Sequence, residues 1–368
     1  MTKFIPISEP SITSKEIEYV TDAIQSGWVS SLGRYIDKFE SEFAKFCNVK
    51  FALTTSNGTT ALHLALVSLG IKEGDEVIIP DLTFVATANA VKYCGANPVM
   101  ADVEKDTLCL NPLQIRELIT DRTKAIIPVH LYGHPANMVE IVRIADEYGL
   151  DVVEDAAEAH GAGIGGRKVG GFGACGVFSF YGNKIMTCGE GGMITTNNPS
   201  LYNRAKYLRD HAMSEEKRYW HDEVGFNYRM TNLQAALGLA QLERIEEIIN
   251  KKRKIFSWYL RELGGVEGVE LNYTREGVSN VYWMICVQVE GLSEGGRGVL
   301  LRKLKEKGVD ARPFFYPISD LPMYEETNTP VTHSVYKSGV NLPSFFAMQE
   351  ADVIYVTNVF MKILKEIN

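Results

Sequence analysis

Short apolar runs and stretches of helical periodicity alternate along the chain from about residue 50. The apolar runs, which we expect to form strands, are residues 51–55, 76–80, 98–101, 125–129, 151–154, 177–180 and 193–196. Segments with helical spacing of apolar residues separate most of them and predict helices at residues 60–69, 85–93, 111–119 and 138–148. The strands lack polar alternation, which indicates burial on both faces. This order predicts an α/β fold with a mostly parallel seven-stranded sheet covered by helices.

Residues typical of helix ends fit this pattern. Asp81 and Asn111 lie where helices are expected to start, and Gly70, Gly95 and Gly149 lie where helices are expected to stop. Each of these glycines falls shortly before a predicted strand. They therefore separate the helices from the strands that follow.

The pattern changes after residue 230. Residues 233–263, rich in Leu, Ile, Glu and Lys, predict one long helix. Beyond it we expect a strand at residues 281–289, an exposed Gly-rich loop at 292–298, a helix at 298–307 and a terminal helix at 350–367. A chain of 368 residues is long enough for two domains. We predict a large domain at residues 1–245 and a smaller C-terminal α+β domain at 246–368.

Composition and charge exclude several classes of protein. A hydrophobic content of 45% with 23% charged residues is globular, and a net charge of −8 without a basic stripe argues against nucleic-acid binding. No CxxC pair suggests a disulfide framework or a metal site, because the six cysteines are scattered: Cys47, Cys94, Cys109, Cys175, Cys188 and Cys286. The start of the chain lacks an apolar signal region, and no run approaches about 20 apolar residues. We expect a cytoplasmic protein without a membrane partner.

A lysine at a predicted strand end is the first candidate for chemistry. Lys184 follows the strand at residues 177–180 and precedes a glycine-rich turn. The strand at residues 151–154 likewise leads to a carboxylate, Asp155. A buried lysine and a carboxylate at strand ends suit pyridoxal 5′-phosphate (PLP), because the amine forms a Schiff base and the carboxylate holds the pyridinium nitrogen. Taken alone, Lys184 also fits an ordinary surface lysine, so the assignment depends on the other sites.

A second candidate site is the turn after the first strand. The sequence SNGTTAL at residues 56–62 leads from a strand into an apolar helix. The free N–H groups at such a helix start bind phosphate, and Gly58 lets an anion approach the backbone closely. Ordinary Ser/Thr capping of the helix is the alternative. His63, on the apolar face, is interpreted as a packed core histidine.

A third glycine-rich segment resembles a nucleotide motif and is rejected. Residues 161–166, GAGIGG, match the G-x-G-x-x-G pattern. The dinucleotide motif must open a helix directly after a strand. Here five residues separate the segment from Asp155, and the following residues are too Gly-rich for a helix. We expect a turn or a hairpin, and no NAD binding.

These sites together resemble the DegT-like family of PLP-dependent sugar-nucleotide aminotransferases, which have the fold-type-I aminotransferase architecture. The resemblance covers essentially the whole chain. It depends on SNGTTAL at residues 56–62, EDAAEA at 154–159, FSF at 178–180 with Lys184, GEGG at 189–192 and GFNYRM at 225–230. Within the family it is strongest to the branch that makes GDP-perosamine, on GWVSS at residues 27–31, VHLYG at 129–133, RYW at 218–220 and RP at 312–313.

The resemblance implies a role for each matching residue. Lys184 would carry PLP and move the proton between the cofactor and the sugar carbon. Asp155 would pair with the pyridine nitrogen and keep the ring an electron sink. Gly58, Thr59 and Ser179 would bind the cofactor's phosphate.

Three further cofactor contacts are implied. Phe84 would stack on the ring, although its position also fits an ordinary core residue. Glu158 departs from many relatives, which carry glutamine there to hydrogen-bond the ring hydroxyl; a glutamate must be protonated to donate. Asn227 would reach the cofactor phosphate of a neighbouring subunit, which implies a homodimer with shared active sites.

The substrate contacts rest on fewer residues. Trp28 and Ser30 lie in an N-terminal loop, where a Trp could equally anchor the core. Arg218 and Arg312 are candidates for the diphosphate, because the guanidinium fork matches phosphate oxygens; each fits a surface residue or an ion pair as well. His130 either faces the sugar or caps a strand end.

The function implied by the resemblance is transamination. The amino group of L-glutamate would pass to C4 of a nucleotide-linked keto sugar, with GDP-4-keto-6-deoxymannose as the first choice and O-antigen biosynthesis as its setting. A UDP- or dTDP-linked keto sugar, or a keto sugar without a nucleotide, is the alternative. A related dehydratase is disfavoured, because that branch replaces the Schiff-base lysine by histidine. A non-catalytic PLP-binding regulator is a further alternative, against which the intact set of Lys184, Asp155 and Ser179 argues.

Overall fold

The computed structural model describes residues 4–367. The helices are α1 Ser14–Gln25, α2 Arg34–Cys47, α3 Gly58–Ser68, α4 Ala86–Tyr93, α5 Pro112–Leu118, α6 Met138–Tyr148, α7 Pro199–Arg209, α8 Asn232–Leu242, α9 Ile245–Leu263, α10 Glu294–Glu306, α11 Pro330–Ser338 and α12 Glu350–Ile367. The strands are β1 Phe51–Thr55, β2 Glu76–Pro80, β3 Asn97–Ala101, β4 Thr123–Ile126, β5 Asp151–Asp155, β6 Gly163–Ile164, β7 Arg167–Lys168, β8 Cys175–Ser179, β9 Gly192–Thr196, β10 Val269–Leu271, β11 Val278–Ser279, β12 Ile285–Val289, β13 Arg312–Pro313 and β14 Gly339–Leu342.

Seven strands form the central sheet in the order β1-β9-β8-β5-β4-β2-β3. The strands from β8 to β3 are parallel, whereas β9 is antiparallel to both of its neighbours. Parallel β5 and β8 lie side by side, with Asp155 opposite Val177. Their carboxyl ends therefore bring Asp155 and Ser179 to the same edge of the sheet. The predicted α/β fold is confirmed.

Both faces of this sheet are covered. Along β2, Ile78 contributes to the core beneath α2, α6 and α8, while Val77 and Ile79 contribute to the core beneath α3, α4 and α7. Alternate side chains of a strand point to opposite faces, so both sets must be apolar. The absence of polar alternation in the sequence has this cause.

The C-terminal part is an α+β arrangement. Its antiparallel sheet has the order β10-β12-β14-β13, and α10, α12 and the last turns of α9 form a core with it. The first turns of α9, with Ile248 and Ile249, belong instead to the core of the large sheet. Since α9 joins both cores, the division at residue 245 stays a prediction.

The prediction of one long helix at residues 233–263 is wrong, because the helix is interrupted between α8 and α9. Arg244 leaves helical geometry, with φ −113° and ψ 6°. Its guanidinium donates to the buried carboxylate of Glu16 at 2.8 Å. An interaction with a distant residue therefore interrupts a sequence that is helical by its local pattern.

Asp81 does not start a helix. Its carboxylate accepts hydrogen bonds from the Ser319 amide (2.8 Å), the Ser319 hydroxyl (2.8 Å) and the Thr329 hydroxyl. Asp102 similarly accepts from the amides of Val331 and Thr332, at the start of α11. Carboxylates after β2 and β3 thus attach the C-terminal segment to the sheet.

Other local predictions gave mixed results. The glycine-rich segment at residues 161–166 forms the β6–β7 hairpin as predicted. The loop predicted at 292–298 is wrong beyond Ser293, whose hydroxyl accepts from the Gly296 amide and begins α10. β4 ends earlier than predicted because Pro128 has no N–H to donate; Val129 keeps a single bridge to Asp155.

No helix within residues 4–367 is long and apolar enough to cross a membrane.

Candidate active site

A cavity of about 540 Å³ opens at the carboxyl ends of the strands. Seven of the predicted site residues line it: Gly58, Thr59, Phe84, Asp155, Glu158, Ser179 and Lys184. They come from five separate stretches of the chain, so only the fold brings them together. This cavity is the candidate active site.

Lys184 lies in the turn between β8 and β9. Its amide donates to the Tyr181 carbonyl at 3.0 Å, and its side chain is 11% exposed. The amine lies 3.4 Å from Glu158 Oε1 and 3.9 Å from the ring centroid of Trp283. The turn thus presents a largely buried amine to the cavity, beside one carboxylate and one aromatic ring.

Asp155 is the last residue of β5, and the protein holds both of its carboxylate oxygens. Thr87 donates its hydroxyl to Oδ2 at 2.8 Å, and the Ala157 amide donates to Oδ1 at 3.2 Å. Burial raises the pKa of Asp155, while these two donors and Lys184 act in the opposite direction. The hydrogen bonds therefore support the ionised form at a buried position.

Glu158 lies between Lys184 and the turn after β4. Its Oε2 accepts from the Tyr132 amide at 2.9 Å, which leaves Oε1 towards the amine of Lys184. Burial raises the pKa of Glu158, and the nearby charge of Lys184 and the Tyr132 amide oppose this rise. A carboxyl group in this place can accept from the lysine or, once protonated, donate into the cavity.

The start of α3 forms a cradle beside β8. Asn57 caps the helix by accepting from the Thr60 amide at 2.9 Å, and the first amides of a helix have no partner within it. A side chain at Gly58 would place its Cβ 2.8 Å from Ser179 Cβ. Glycine is therefore required for α3 to approach β8, and the start of α3, whose first amides suit an anion, lies beside Ser179.

Aromatic side chains form another wall of the cavity. Phe84 is 54% exposed, and its ring centroid lies 5.7 Å from that of Phe315. An exposed phenylalanine in a cavity suits stacking on a planar ligand. Phe315 and Trp283 reach the cavity from the C-terminal part and were missed by the sequence analysis, as was Thr87. Nothing in the local sequence around these three residues marks them.

The structure does not bring His130 to the cavity. The side chain is completely buried. Its Nδ1 accepts from the Ala136 amide at 3.0 Å, so the proton is on Nε2, which donates to Glu154 at 3.2 Å. Glu154 also accepts from the amides of Gly170, Phe172 and Gly173. The alternative role at a strand end is therefore favoured over contact with a sugar.

The other predicted substrate and partner residues lie outside the cavity of this chain. Trp28 is exposed, and the carbonyls of Trp28 and Ser30 accept hydrogen bonds from Asn232. Arg218 is exposed beside the Tyr219 ring, and Arg312 pairs with Asp310 at 3.0 Å.

Asn227 is exposed as well. Its Oδ1 accepts from Arg229 Nε at 3.2 Å.

Along residues 4–367, no group of His, Cys, Asp and Glu side chains is arranged to hold a metal ion.

Comparisons with known proteins agree with this geometry. The chain matches the DegT/DnrJ/EryC1/StrS aminotransferase family over residues 10–361. It is 45% identical to a GDP-perosamine synthase of Escherichia coli O157:H7, covering 96% of this chain and 97% of that protein. Identity to a GDP-perosamine synthase of Vibrio cholerae is 44%, covering 96% of this chain and 97% of that protein.

A solved structure agrees as well. A Streptococcus pneumoniae protein assigned as a sugar aminotransferase, in its PLP form, superposes with a TM-score of 0.95 at 26% identity, covering 99% of this chain and 100% of that one. The chain therefore belongs to the DegT/DnrJ/EryC1/StrS aminotransferase family and is a PLP-dependent sugar aminotransferase.

Proposed function

We propose that the protein transfers the amino group of L-glutamate to C4 of GDP-4-keto-6-deoxymannose and thereby makes GDP-perosamine. The observation that carries this proposal is the near-full-length identity of 45% and 44% to two GDP-perosamine synthases. The cavity supports it, because an amine, two carboxylates and a helix start converge there.

The residues of the cavity fit PLP. The cradle formed by Gly58, Thr59 and Ser179 suits a phosphate, since a Cβ at Gly58 would fill the space next to Ser179. Asp155 offers a buried carboxylate with both oxygens fixed, as a protonated ring nitrogen requires. The amine of Lys184 faces the same cavity. The donors therefore match the phosphate, the ring nitrogen and the aldehyde of one molecule.

When bound, PLP supplies an electron-withdrawing ring that stabilises negative charge on the carbon being deprotonated. Lys184 Nζ would hold the cofactor and would serve as the base that moves the proton during the transfer. The negative charge of Asp155 would keep a proton on the ring nitrogen. Glu158 Oε1 lies within 3.4 Å of Lys184 Nζ, so it orients the amine. Phe84, which lines the cavity, would stack on the ring and exclude water from that side.

We further propose a homodimer in which Asn227 contacts the partner's cofactor phosphate. Asn227 and Arg218 are exposed and lie outside the cavity of their own chain. Trp28, 56% exposed, belongs to the same group. Polar and aromatic residues that find no site within one chain fit a site completed by a second copy.

We place the reaction in the cytoplasm, where the six free cysteines stay reduced.

A substrate panel tests the proposed function. The protein is incubated with GDP-, UDP- and dTDP-linked 4-keto-6-deoxy sugars, each with L-glutamate. The products are identified by mass spectrometry. We expect amination of the GDP-linked sugar, no product with Lys184→Ala, and Lys184 as the lysine tagged by borohydride reduction. Faster conversion of a UDP- or dTDP-linked sugar contradicts the GDP assignment. Failure with every sugar, without a tagged lysine, contradicts the reaction.

A further inference from the structure

Trp283 lies in a backbone segment that the fold holds in a costly conformation. The preceding residue, Tyr282, has φ +47°, a left-handed geometry that is rare for aromatic residues. The Tyr282 ring stacks on Phe256 at 3.8 Å with an interplanar angle of 8°, and its amide donates to Asn280 at 2.8 Å. Strain that persists because the surroundings fix it points to a functional constraint on the neighbouring side chain.

A buried lysine fixes the Trp283 backbone. Lys252, in α9, donates to the Trp283 carbonyl at 3.1 Å, to the Ser344 hydroxyl at 3.0 Å and to the Ser344 carbonyl. Burial lowers the pKa of Lys252 to about 7. The Ser344 hydroxyl also donates to the Trp283 carbonyl at 3.0 Å. Two donors therefore hold one carbonyl, and the cost of burying the Lys252 amine is offset by its three hydrogen bonds.

The indole of Trp283 contacts two successive residues of the cavity turn. Its Nε1 donates to the Asn183 carbonyl at 2.7 Å, which also accepts from the Ser8 hydroxyl at 3.3 Å. Its ring centroid lies 3.9 Å from Lys184 Nζ. Trp283 is 3% exposed as a residue and the Lys184 side chain 11%, so the contact between them is largely shielded from water. One side chain thus fixes the backbone before Lys184 and the amine of Lys184 itself.

We propose that Trp283 is a positioning residue that, with Glu158, holds the amine of Lys184 whenever that amine is not bonded to the cofactor. The proposal depends on the proposed function, in which Lys184 must release the cofactor and then carry a proton. A cation over an indole is attracted to the ring face, and Glu158 Oε1 supplies the second contact at 3.4 Å. Trp283, which belongs to the C-terminal part, thereby sets the position from which the Lys184 amine begins the proton transfer.

Amine labelling of the cofactor-free protein tests the holding site directly. An acylating reagent is applied at fixed pH, and the modified fraction of Lys184 is followed by peptide mass spectrometry. Trp283→Leu removes the ring, so labelling of Lys184 is expected to rise roughly fivefold. Trp258→Leu is the matched control, because that buried tryptophan also lies near lysines, Lys251 at 4.9 Å and Lys254 at 5.6 Å. Unchanged labelling in folded Trp283→Leu overturns the proposal.

A conservative variant and an isotope effect complete the test. Trp283→Phe keeps a ring but cannot donate to the Asn183 carbonyl, so labelling is expected to rise about twofold. With α-deuterated glutamate, the isotope effect on kcat is expected to increase in this variant while KM stays close to wild type, because only the proton transfer is misaligned. If Trp283→Leu fails to fold by circular dichroism, Trp283→Phe decides. Wild-type labelling together with a wild-type isotope effect overturns the proposal.

The two proposals fail in different ways. Absence of a borohydride tag on Lys184 in PLP-loaded wild type contradicts the proposed function. The labelling of cofactor-free protein is independent of that result. A tagged Lys184 with unchanged labelling in the variant that decides, Trp283→Leu where it folds and Trp283→Phe otherwise, contradicts the positioning role alone.

Discussion

The cavity residues and the partly or fully exposed segments at residues 27–33 and 213–229 differ in how the chain holds them. Asp155, Ser179 and Lys184 are buried or nearly so, and each has partners within the same chain. The exposed segments carry Tyr219, 74% exposed, and Val224, 87% exposed. Apolar side chains left in solvent in this number are typical of interaction surfaces. One chain therefore holds most of the proposed cofactor site, whereas we infer that a second copy adds Asn227 to it and completes the substrate site.

Removing Lys184 is the strongest test of the role assigned to the cavity residues. Lys184→Ala is expected to lower transamination on the order of a thousandfold or more, because the proton carrier is lost. The variant should stay folded and bind PLP without a covalent bond, since the phosphate cradle and Asp155 remain. Turnover with the GDP-linked sugar and equilibrium dialysis of PLP measure both effects. A variant with substantial turnover would place the chemistry on another residue.

The second-largest effect is expected at Asp155, the carboxylate proposed to pair with the ring nitrogen. Asp155→Asn keeps the shape and the hydrogen bond from Thr87 but removes the negative charge that holds a proton on the ring nitrogen. We expect kcat to fall on the order of a hundredfold, with PLP still bound. Comparison of kcat and of the bound cofactor's absorbance with those of wild type checks this. Near-normal turnover would exclude Asp155 as the electronic partner.

A smaller effect is expected from the residue that supports Asp155. The Thr87 hydroxyl opposes the rise in the Asp155 pKa caused by burial, so Thr87→Val should raise that pKa further. Because the ionised form is the active one, activity disappears as the pH falls through this pKa. The acid limb of the kcat/KM profile should therefore move to higher pH, by about one unit. Thr87→Ser, which keeps the hydroxyl, is the control; an unmoved limb in Thr87→Val would contradict the role.

The same comparison separates what the sequence predicts from what it does not. Asp155, Lys184 and Gly58 were predictable because each follows a predicted strand within a few residues of the sequence. Thr87 and Trp283 were not, since their contacts with Asp155 and Lys184 join residues 68 and 99 positions apart in the chain. The break at Arg244 has the same origin, a pairing with distant Glu16. Local patterns indicate elements and strand ends, and tertiary partners decide the rest.

The smallest expected effect, a factor of two, tests whether the exposed segments serve a second copy. Lys184→Ala and Asn227→Asp are each expected to be inactive, the second because a carboxylate repels the cofactor phosphate. Both chains are co-expressed with different tags, and heterodimers are purified on both tags. Each heterodimer would hold one intact site, with Lys184 from one chain and Asn227 from the other. Its activity should therefore be about half that of the wild-type dimer, by counting sites under two-fold symmetry.

Homodimers of each variant, purified in parallel, give the background. Inactive heterodimers would show that Asn227 acts within its own chain or away from the phosphate. In that case the exposed position of Asn227 would need another explanation, and the cavity residues of a single chain would be the whole cofactor site. Activity at half the wild-type value would instead require a second copy at every working site, because neither chain of the heterodimer is active alone.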